Sequence, residues 1–308
     1  MNIVFMGTPD FAVPSLEKIL QAGYRVTAVV TAPDRPAGRG RQLRPSPVKE
    51  FALKNGLPVL QPEKLRAPEF HEQLQQAAPD LMVVVAFRML PEVVWSMPTI
   101  GTFNLHASLL PDYRGAAPIN WVVMNGETKS GATTFLIDKE IDTGNLLLQR
   151  EIDIPESWNA GDLHDALMVM GADLVLETVQ GLEANRLTPS PQDETLYKNK
   201  APKIYKEDCE LNWELPASQV HNKIRGLSPY PTAWTKAEGQ KAKIYKSELT
   251  GQPTGGTKPG QVRMDNLQLY VACQDEWLEI TRIQMPGKKN MPVSDFLRGF
   301  KGELTTFT

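Results

Sequence analysis

The start of the chain places an amphipathic segment between two short apolar runs, and this order constrains the fold most. Asn2–Met6 and Val26–Thr31 are apolar and partly β-branched. Pro14–Ala22 has the spacing of an amphipathic helix, and Gly23 suits the position just past its end. Strand, helix and strand in this order begin a parallel α/β sheet. Leu81–Ala86, the most apolar stretch of the chain, is typical of a central strand of such a sheet.

Other segments extend this prediction and argue against two kinds of nucleotide-binding enzyme. Further strands are predicted at Thr102–Leu105 and Ala132–Ile137, and a long helix at Gly161–Asn185. The turn after the first strand, Gly7–Phe11, lacks the G-x-G-x-x-G pattern of dinucleotide-binding loops. The sequence also lacks the G-x-x-x-x-G-K-[ST] phosphate loop. An NAD-dependent oxidoreductase and a P-loop ATPase are therefore disfavoured.

The character of the sequence changes after about Asn185. Residues 188–203 have the proline and lysine content of an extended linker, and Ala217–Gly226 has helical spacing. Short alternating segments, punctuated by glycine and proline, follow at Lys241–Lys246, Gly260–Met264, Leu267–Ala272 and Leu278–Ile283. They predict a small β-barrel. We therefore expect one domain over residues 1–187 and a second over residues 204–308.

Composition narrows the class of function. No apolar run approaches the roughly 20 residues that span a bilayer, and the N-terminus lacks the basic and apolar regions of a signal peptide. Two cysteines are too few for a disulfide framework or a structural zinc site, and the four histidines share no ligand spacing. The net charge of −3 argues against a generic nucleic-acid binder. We expect a cytoplasmic, monomeric enzyme without a metal.

Asp34–Lys49 is an arginine-rich segment. Its sequence is DRPAGRGRQLRPSPVK, in which four arginines and one lysine accompany a single acidic residue. The prolines and glycines are expected to forbid a regular element, and loops of this length are usually functional or disordered. Two interpretations stay open: a flexible solvated insertion, or an arm that contacts the phosphates of a nucleic acid.

The densest group of polar residues follows the predicted strand at 102–105. Asn104 and His106 are two residues apart, so in a strand they project from the same face. The carboxyl ends of strands are where open α/β sheets bind ligands. An amide and an imidazole side by side can donate hydrogen bonds to a developing oxyanion. Structural roles for both residues remain the alternative.

Asp142 lies in a second polar segment, which also follows an apolar run. It could act as a general base or orient His106. Asp142–Gly144 is also a common turn composition, so a purely structural aspartate is the competing interpretation.

The segments that contain these residues resemble a known family. His106–Gly115 and Asp142–Gly144 are similar to the signature of enzymes that transfer a formyl group from 10-formyltetrahydrofolate. The resemblance to the members that act on methionyl-tRNA is closer and covers nearly the whole chain. The further matching segments are Gly7–Ala12, Asp34–Lys49, Arg114–Ile119, Gln192–Thr195 and Pro286–Lys289.

This resemblance implies a fold and an activity. The implied α/β fold is a Rossmann-like parallel-sheet formyltransferase domain followed by a small OB-fold-like β-barrel. The implied activity is transfer of the formyl group from 10-formyltetrahydrofolate to the α-amino group of initiator Met-tRNA, by direct amine attack and a tetrahedral intermediate. No metal is implied, and the C-terminal barrel would offer a basic surface to the tRNA.

The resemblance also implies roles for individual residues. Catalysis falls to Asn104, His106 and Asp142. The residues expected to bind the folate are Ser108, Leu109, Leu110, Pro111, Phe87, Arg88 and Asp138. The residues expected to bind the aminoacyl-tRNA are Phe11, Arg35, Arg39, Arg41 and Arg44, with Lys241, Lys243, Lys246, Lys288 and Lys289 on the barrel.

One departure from the family pattern concerns the folate site. After the central strand the family usually has Ala-Tyr-Gly, whereas this chain has Ala86-Phe87-Arg88. Arg88 in place of glycine would either alter pterin binding or face outward.

Four other functions compete with this interpretation. A formyltransferase acting on a nucleotide-linked amino sugar would share the catalytic residues but lack the arginine segment. A folate-dependent hydrolase would use water in place of the amine. A catalytically inactive tRNA-binding module is disfavoured by the intact catalytic residues, and a dinucleotide oxidoreductase by the missing glycine pattern.

Overall fold

The computed structural model describes residues 1–37 and 42–308, which form two compact units. Within the described residues, the first unit takes in 1–115, 130–152 and 164–200. The second takes in 116–129, 153–163 and 201–308. The second unit thus includes two stretches that come before residue 187 in the chain.

The strands are short except for β13. In chain order they are β1 (Asn2–Gly7), β2 (Arg25–Val30), β3 (Arg35–Ala37), β4 (Gln42–Arg44), β5 (Val59–Leu60), β6 (Leu81–Val85), β7 (Gly101–His106), β8 (Arg114–Gly115), β9 (Lys129–Leu136), β10 (Leu146–Asp153), β11 (Lys200–Ala201), β12 (Ala233–Ala237), β13 (Gln240–Pro253), β14 (Val262–Asp265), β15 (Gln268–Ala272), β16 (Glu276–Gln284) and β17 (Met291–Pro292).

The helices are α1 (Val13–Gln21), α2 (Pro47–Lys54), α3 (Pro68–Gln76), α4 (Glu92–Trp95), α5 (Pro118–Met124), α6 (Ala160–Glu183), α7 (Ala217–Leu227) and α8 (Val293–Gly299). Single 3₁₀ turns occur at Asp10–Ala12 and Glu194–Leu196.

In the described part of the chain, the first unit is built on a seven-stranded sheet of order β10-β9-β7-β6-β1-β2-β5. The neighbours from β5 to β7 pair in parallel, so the predicted parallel sheet is confirmed for these strands. β9 runs antiparallel to β7. The carboxyl ends of the parallel strands meet at one edge, where the polar residues after β6 and β7 lie.

The two faces of this sheet are covered differently. On one face Val4, Met6 and Val84 pack with Phe70 and Leu74 of α3. These strand residues are alternate positions, as a pleated strand requires. The predicted central strand is confirmed as β6, in which every residue is buried.

Helix α6 lies against the other face at β7. A Cβ atom on Gly171 would come within 2.8 Å of Leu105 Cδ2, so glycine allows the helix to approach the strand. Leu105 points towards α6, and its neighbours on the strand therefore project from the opposite face. Those neighbours are Asn104 and His106, and the packing of α6 thus fixes the direction in which both side chains point.

The expectation that Asp34–Lys49 contains no regular element is wrong. β3 and β4 pair antiparallel, with Arg35 opposite Arg44, and α2 begins at Pro47. Ser46 caps α2, because its hydroxyl accepts a hydrogen bond from the Lys49 backbone N–H. The Lys49 ammonium and the Gln61 amide both bind the Asp34 carboxylate, and the Lys49 contact lowers the pKa of that carboxyl. The base of this segment is therefore held by polar contacts.

The second unit has an antiparallel sheet of order β12-β13-β16-β15-β14, to which β17 adds through β16. The C-terminal residues close it: Thr308 exchanges hydrogen bonds with Lys236 of β12, and Thr305 accepts one from Val262 of β14. The core includes Ile244, Val271 and Ile280 and is covered by α7 and α8. The small β domain that the sequence predicts as a barrel is confirmed as an antiparallel sheet domain, in which the chain end bridges β12 and β14.

Candidate functional site

His106 ends β7, and its ring is held by a main-chain oxygen. Its ring is 6% exposed. Nε2 lies 2.9 Å from the Tyr113 carbonyl oxygen, and because a carbonyl only accepts, Nε2 donates. Nδ1 lies 3.8 Å from Asp142 Oδ2. That distance is beyond a hydrogen bond, so Nδ1 is the ring nitrogen that remains for another partner.

Asp142 occupies a strained turn. Its φ of +58° places it in the left-handed region, which few residues other than glycine adopt. Its Oδ2 accepts a hydrogen bond from the Gly115 backbone N–H at 2.9 Å. Asp138 organises the start of the same turn, because its Oδ1 accepts from Glu140 N and Thr143 Oγ1. The turn thus aims the Asp142 carboxylate at His106.

The segment that supplies the backbone partners of this pair is itself anchored. Tyr113 has a φ of +59°. The Asp112 carboxylate accepts hydrogen bonds from the backbone N–H groups of Lys198 and Asn199, and Tyr113 N–H donates to the Asn199 carbonyl at 2.9 Å. The Tyr113 carbonyl and the Gly115 N–H therefore have fixed positions.

Asn104 lies two residues before His106 on the same face of β7 and is half-buried. Its side-chain amide makes no hydrogen bond to the residues that the structure describes. Asp142 Oδ1 likewise has no hydrogen-bond partner among them. The structure therefore brings His106 and Asp142 together, and it leaves one amide and one carboxylate oxygen free beside them.

The predicted folate segment 108–111 is fixed from β9. Thr133 Oγ1 donates to the Ser108 carbonyl at 2.6 Å and accepts from Leu110 N–H at 3.1 Å. Gln149 donates to the Leu110 carbonyl and to the Thr133 hydroxyl. Ser108 is fully buried, and its hydroxyl donates to the Asp112 carbonyl. Leu109 and Pro111 thus belong to a segment whose backbone atoms are held by the side chains of Thr133 and Gln149.

Arg88 is bound to main-chain oxygens. Its guanidinium donates to the carbonyls of Pro62 and Glu63 at 2.8 and 3.1 Å and lies 5.3 Å from the centre of the Phe87 ring. Burial lowers its pKa, and nearby Arg35 adds to the effect. Phe87 packs on the core under α3 and α4. The side chain that replaces the family glycine is thus half-buried against the backbone that follows β5.

The residues expected to bind aminoacyl-tRNA lie in different environments. Phe11 is 7% exposed and stacks at a tilt on His164, with the ring centres 5.2 Å apart. Arg35 and Arg44 are exposed and face each other across the β3–β4 pair. Arg39 and Arg41 lie outside the described residues.

Other reactive groups do not add to the site. Burial raises the pKa of both cysteines, to about 12 for Cys273. Among the described residues, no group of three His, Cys, Asp or Glu could hold a metal ion. Within the same part of the chain, no helix has the length and apolar character to cross a membrane.

Sequence reasoning missed several partners of the site. The Tyr113 carbonyl and Gly115 N–H are backbone groups, which no residue type reveals. Thr133 and Gln192 contact the site from distant positions in the chain, and no spacing pattern links them to it. Gln192 lies in one of the matching segments, but no sequence pattern assigns it a role.

Comparisons with known proteins identify the family of the chain. The family model described as formyl transferase matches residues 1–179, and that described as formyl transferase, C-terminal domain, matches 203–301. A methionyl-tRNA formyltransferase of Parabacteroides distasonis is 49% identical over 98% of this chain and 96% of its own length. The one from Acidobacterium capsulatum is 49% identical over 97% and 96%.

Solved structures show the same fold at lower identity. An N-formyltransferase from Helicobacter canadensis, in complex with folinic acid and dTDP-3-aminofucose, has a TM-score of 0.66 at 23% identity over 90% of this chain and 97% of its own. HypX from Aquifex aeolicus, in complex with tetrahydrofolic acid, has a TM-score of 0.65 at 19% identity over 99% and 50%.

Proposed function

We propose that this chain, which belongs to the formyl transferase family, transfers the formyl group of 10-formyltetrahydrofolate to the α-amino group of methionyl initiator tRNA in the cytoplasm. The observation that carries the proposal is the placement of His106 against Asp142 at the carboxyl end of β7. Asn104, on the same face, presents an amide with no hydrogen bond to the described residues. An acyl transfer needs donors for an oxyanion and an acceptor for a proton, and these three side chains supply both.

The acceptor needs little activation by the protein. A free α-amino group titrates near pH 7.7–8.0, so a large share of it is neutral and nucleophilic at working pH. A covalent enzyme intermediate is therefore unnecessary. The two cysteines are buried with raised pKa values and take no part.

The folate donor supplies the formyl carbon and the leaving nitrogen N10. Asn104 donates its amide hydrogen towards the formyl oxygen, where negative charge develops during attack. The imidazole ring of His106 is fixed by the hydrogen bond that Nε2 donates to the Tyr113 carbonyl. When Nδ1 also carries a hydrogen, the ring can donate a second hydrogen bond to the formyl oxygen. Removing one such donor typically costs about 10²–10³ in rate.

We assign Asp142 the role of proton acceptor for the attacking amine. The attacking nitrogen must lose a proton, and the leaving nitrogen must gain one. Asp142 Oδ2 is held by the Gly115 N–H, whereas Oδ1 has no partner among the described residues and can accept the proton directly or through water. The other carboxylate oxygen, Oδ2, lies 3.8 Å from His106 Nδ1.

The residues beside this trio fit a folate. The backbone-anchored segment 108–111 offers a rigid wall, and Asp138 holds the turn that carries Asp142. Phe87 and Arg88 complete the set that we propose to hold the pterin. The Arg88 guanidinium is held in place by the Pro62 and Glu63 carbonyls.

Recognition of the tRNA rests on basic surfaces. Arg35 and Arg44 are exposed like charges on directly opposite strand positions, an arrangement that a polyanion stabilises. Arg39 and Arg41 belong to the same segment, and Phe11 is proposed as a wall of the methionine pocket. On the barrel, the proposed phosphate contacts are Lys241, Lys243, Lys246, Lys288 and Lys289.

The test is formyl transfer from labelled 10-formyltetrahydrofolate, with methionine-charged initiator tRNA and charged elongator tRNA as parallel acceptors. Transfer to the initiator alone is expected. Loss of label without a formylated tRNA would show a hydrolase instead. If the folded protein consumes no 10-formyltetrahydrofolate, the proposal is contradicted. A nucleotide-linked amino sugar would then be the next acceptor to assay.

A further inference from the structure

We infer that Gln192 is a positioning residue for formyl transfer: its side-chain amide sets the position of the Asp142 carboxylate. The inference rests on the proposed function for its kinetic consequence. Gln192 lies 50 residues after Asp142 in the chain and touches no group assigned to substrate. Its role follows from four hydrogen bonds.

The amide of Gln192 spans the turn that contains Asp142. Its Nε2 donates to the Asp142 carbonyl at 2.8 Å and to the Gly144 carbonyl at 2.9 Å. An amide nitrogen carries two hydrogens, and both are used here. The two acceptors lie on either side of Thr143, so the contacts fix the turn on both sides of its centre.

Arg114 determines which way this amide faces. Gln192 Oε1 accepts from Arg114 Nε at 3.1 Å and from Nη2 at 2.6 Å. A guanidinium only donates and a carbonyl only accepts, so the network fixes the amide orientation. The Arg114 side chain is 11% exposed and is held by a bidentate contact with Glu194. Its guanidinium also lies 5.0 Å from the centre of the Tyr197 ring.

The turn needs such support because Asp142 is strained. A left-handed φ at a non-glycine residue persists only where neighbouring contacts over-determine it. The direct partner of the carboxylate, Gly115 N–H, belongs to the residue that follows Arg114. Arg114 thus connects both supports of Asp142: its backbone continues into Gly115, and its side chain orients Gln192.

Two substitutions separate positioning from folding. Gln192→Ala removes both contacts to the turn. Gln192→Glu keeps the length and the contact with Arg114, but it directs a carboxylate oxygen at two carbonyls in place of the amide hydrogens. If the inference holds, Gln192→Glu stays folded and is impaired like Gln192→Ala. Asp193→Ala is the matched control, because the Asp193 side chain binds only Thr195 among the described residues.

Steady-state kinetics and NMR carry the test. A misplacement of about 1 Å can cost 10²-fold in rate. We therefore expect kcat to fall roughly 10- to 100-fold in both Gln192 variants, with the KM for 10-formyltetrahydrofolate unchanged. In the Asp142→Ala background, Gln192→Ala should add no further loss, because it acts through the carboxylate that is missing. The imidazole ¹⁵N shifts of His106 should change in Gln192→Ala and not in Asp193→Ala.

Several results would overturn the inference. One is a wild-type kcat in either Gln192 variant, and another is an equal loss in Asp193→Ala. A full additional loss from Gln192→Ala in the Asp142→Ala background would likewise reject action through Asp142. If the wild-type protein does not formylate Met-tRNA, the proposed function fails, and the His106 shifts alone then support or reject the positioning role.

Discussion

Gly144→Ala should impair chemistry without unfolding the first unit. Gly144 follows Thr143 in the turn that presents Asp142. A Cβ atom built on it would lie 1.7 Å from the Leu136 carbonyl oxygen and 2.9 Å from the Leu136 carbonyl carbon. Both atoms are backbone at the end of β9, so no side-chain rotation relieves the clash. The turn must move away from the strand.

The size of the effect follows from that distance. Real Cβ atoms do not approach closer than 3.0 Å, so the turn must retreat by about 1.3 Å, the difference between 3.0 and 1.7 Å. A displacement of roughly 1 Å at a catalytic group can cost 10²-fold. We therefore expect kcat to fall about 100-fold, equivalent to about 3 kcal/mol of transition-state stabilisation.

The assay is steady-state formyl transfer, with circular dichroism and thermal unfolding measured on the same preparations. The matched control is Gly299→Ala, since a Cβ atom at Gly299 meets no atom within 4 Å. That control should keep its kcat. A Gly144→Ala protein that folds and turns over at the wild-type rate would refute the reasoning, because the close packing of the turn would then not set the position of Asp142.

Three further outcomes follow from the structure. Alanine variants of Asn104, His106 and Asp142 should each lose about 10²–10³ in kcat, and double variants should lose less than the product of the single losses if the three act as one unit. Arg44→Ala should raise the KM for charged tRNA and flatten its dependence on salt, while folate binding stays unchanged; a KM that does not vary with salt in the wild type would contradict this. Burial lowers the pKa of His221 from 6.5 to about 4, so as the pH falls from 6.5 to 4 the unfolded state binds a proton that the folded state does not. The free energy of unfolding should therefore fall by about 3 kcal/mol over this range. In urea unfolding, the His221→Gln variant should show a smaller fall in this free energy over the same pH range.

The central sheet could be predicted because its signal is local. The apolar run at β6 and the strand-helix-strand order of β1, α1 and β2 each follow from neighbouring residues. The spacing predicts a long helix at Gly161–Asn185, and α6 extends over Ala160–Glu183. The sequence analysis does not predict the short helices α3 and α5.

The β3–β4 pair shows why local signals can mislead. Glycine and proline usually interrupt regular structure, and the segment from Asp34 to Lys49 contains both. Pro36 is nevertheless compatible with a strand, because β3 pairs only with β4 and so remains an edge strand in the described residues. Polar contacts of Asp34 with Lys49 and Gln61 then hold the base of the segment. Those contacts join residues up to 27 positions apart, which composition does not reveal.

The candidate site also has features that follow from local sequence and features that depend on distant contacts. Asn104 and His106 could be placed on one face because the strand period is two. Asp142 could be named as a partner but not oriented, because its direction depends on a left-handed backbone and on Gln192. The sequence therefore predicts which side chains carry the chemistry, whereas the contacts that aim them depend on the folded chain.

The backbone partners explain which substitutions such a site can tolerate. His106 binds the carbonyl of Tyr113, and Asp142 binds the N–H of Gly115. Every residue has a carbonyl, and every residue except proline has an N–H, so the identity of the side chain at these positions matters less than the backbone conformation. Tyr113 has a left-handed φ, and its N–H is held by Asn199. A change of side chain that preserves this conformation should therefore keep His106 in place, whereas a change that disturbs it would release the ring without altering any catalytic residue.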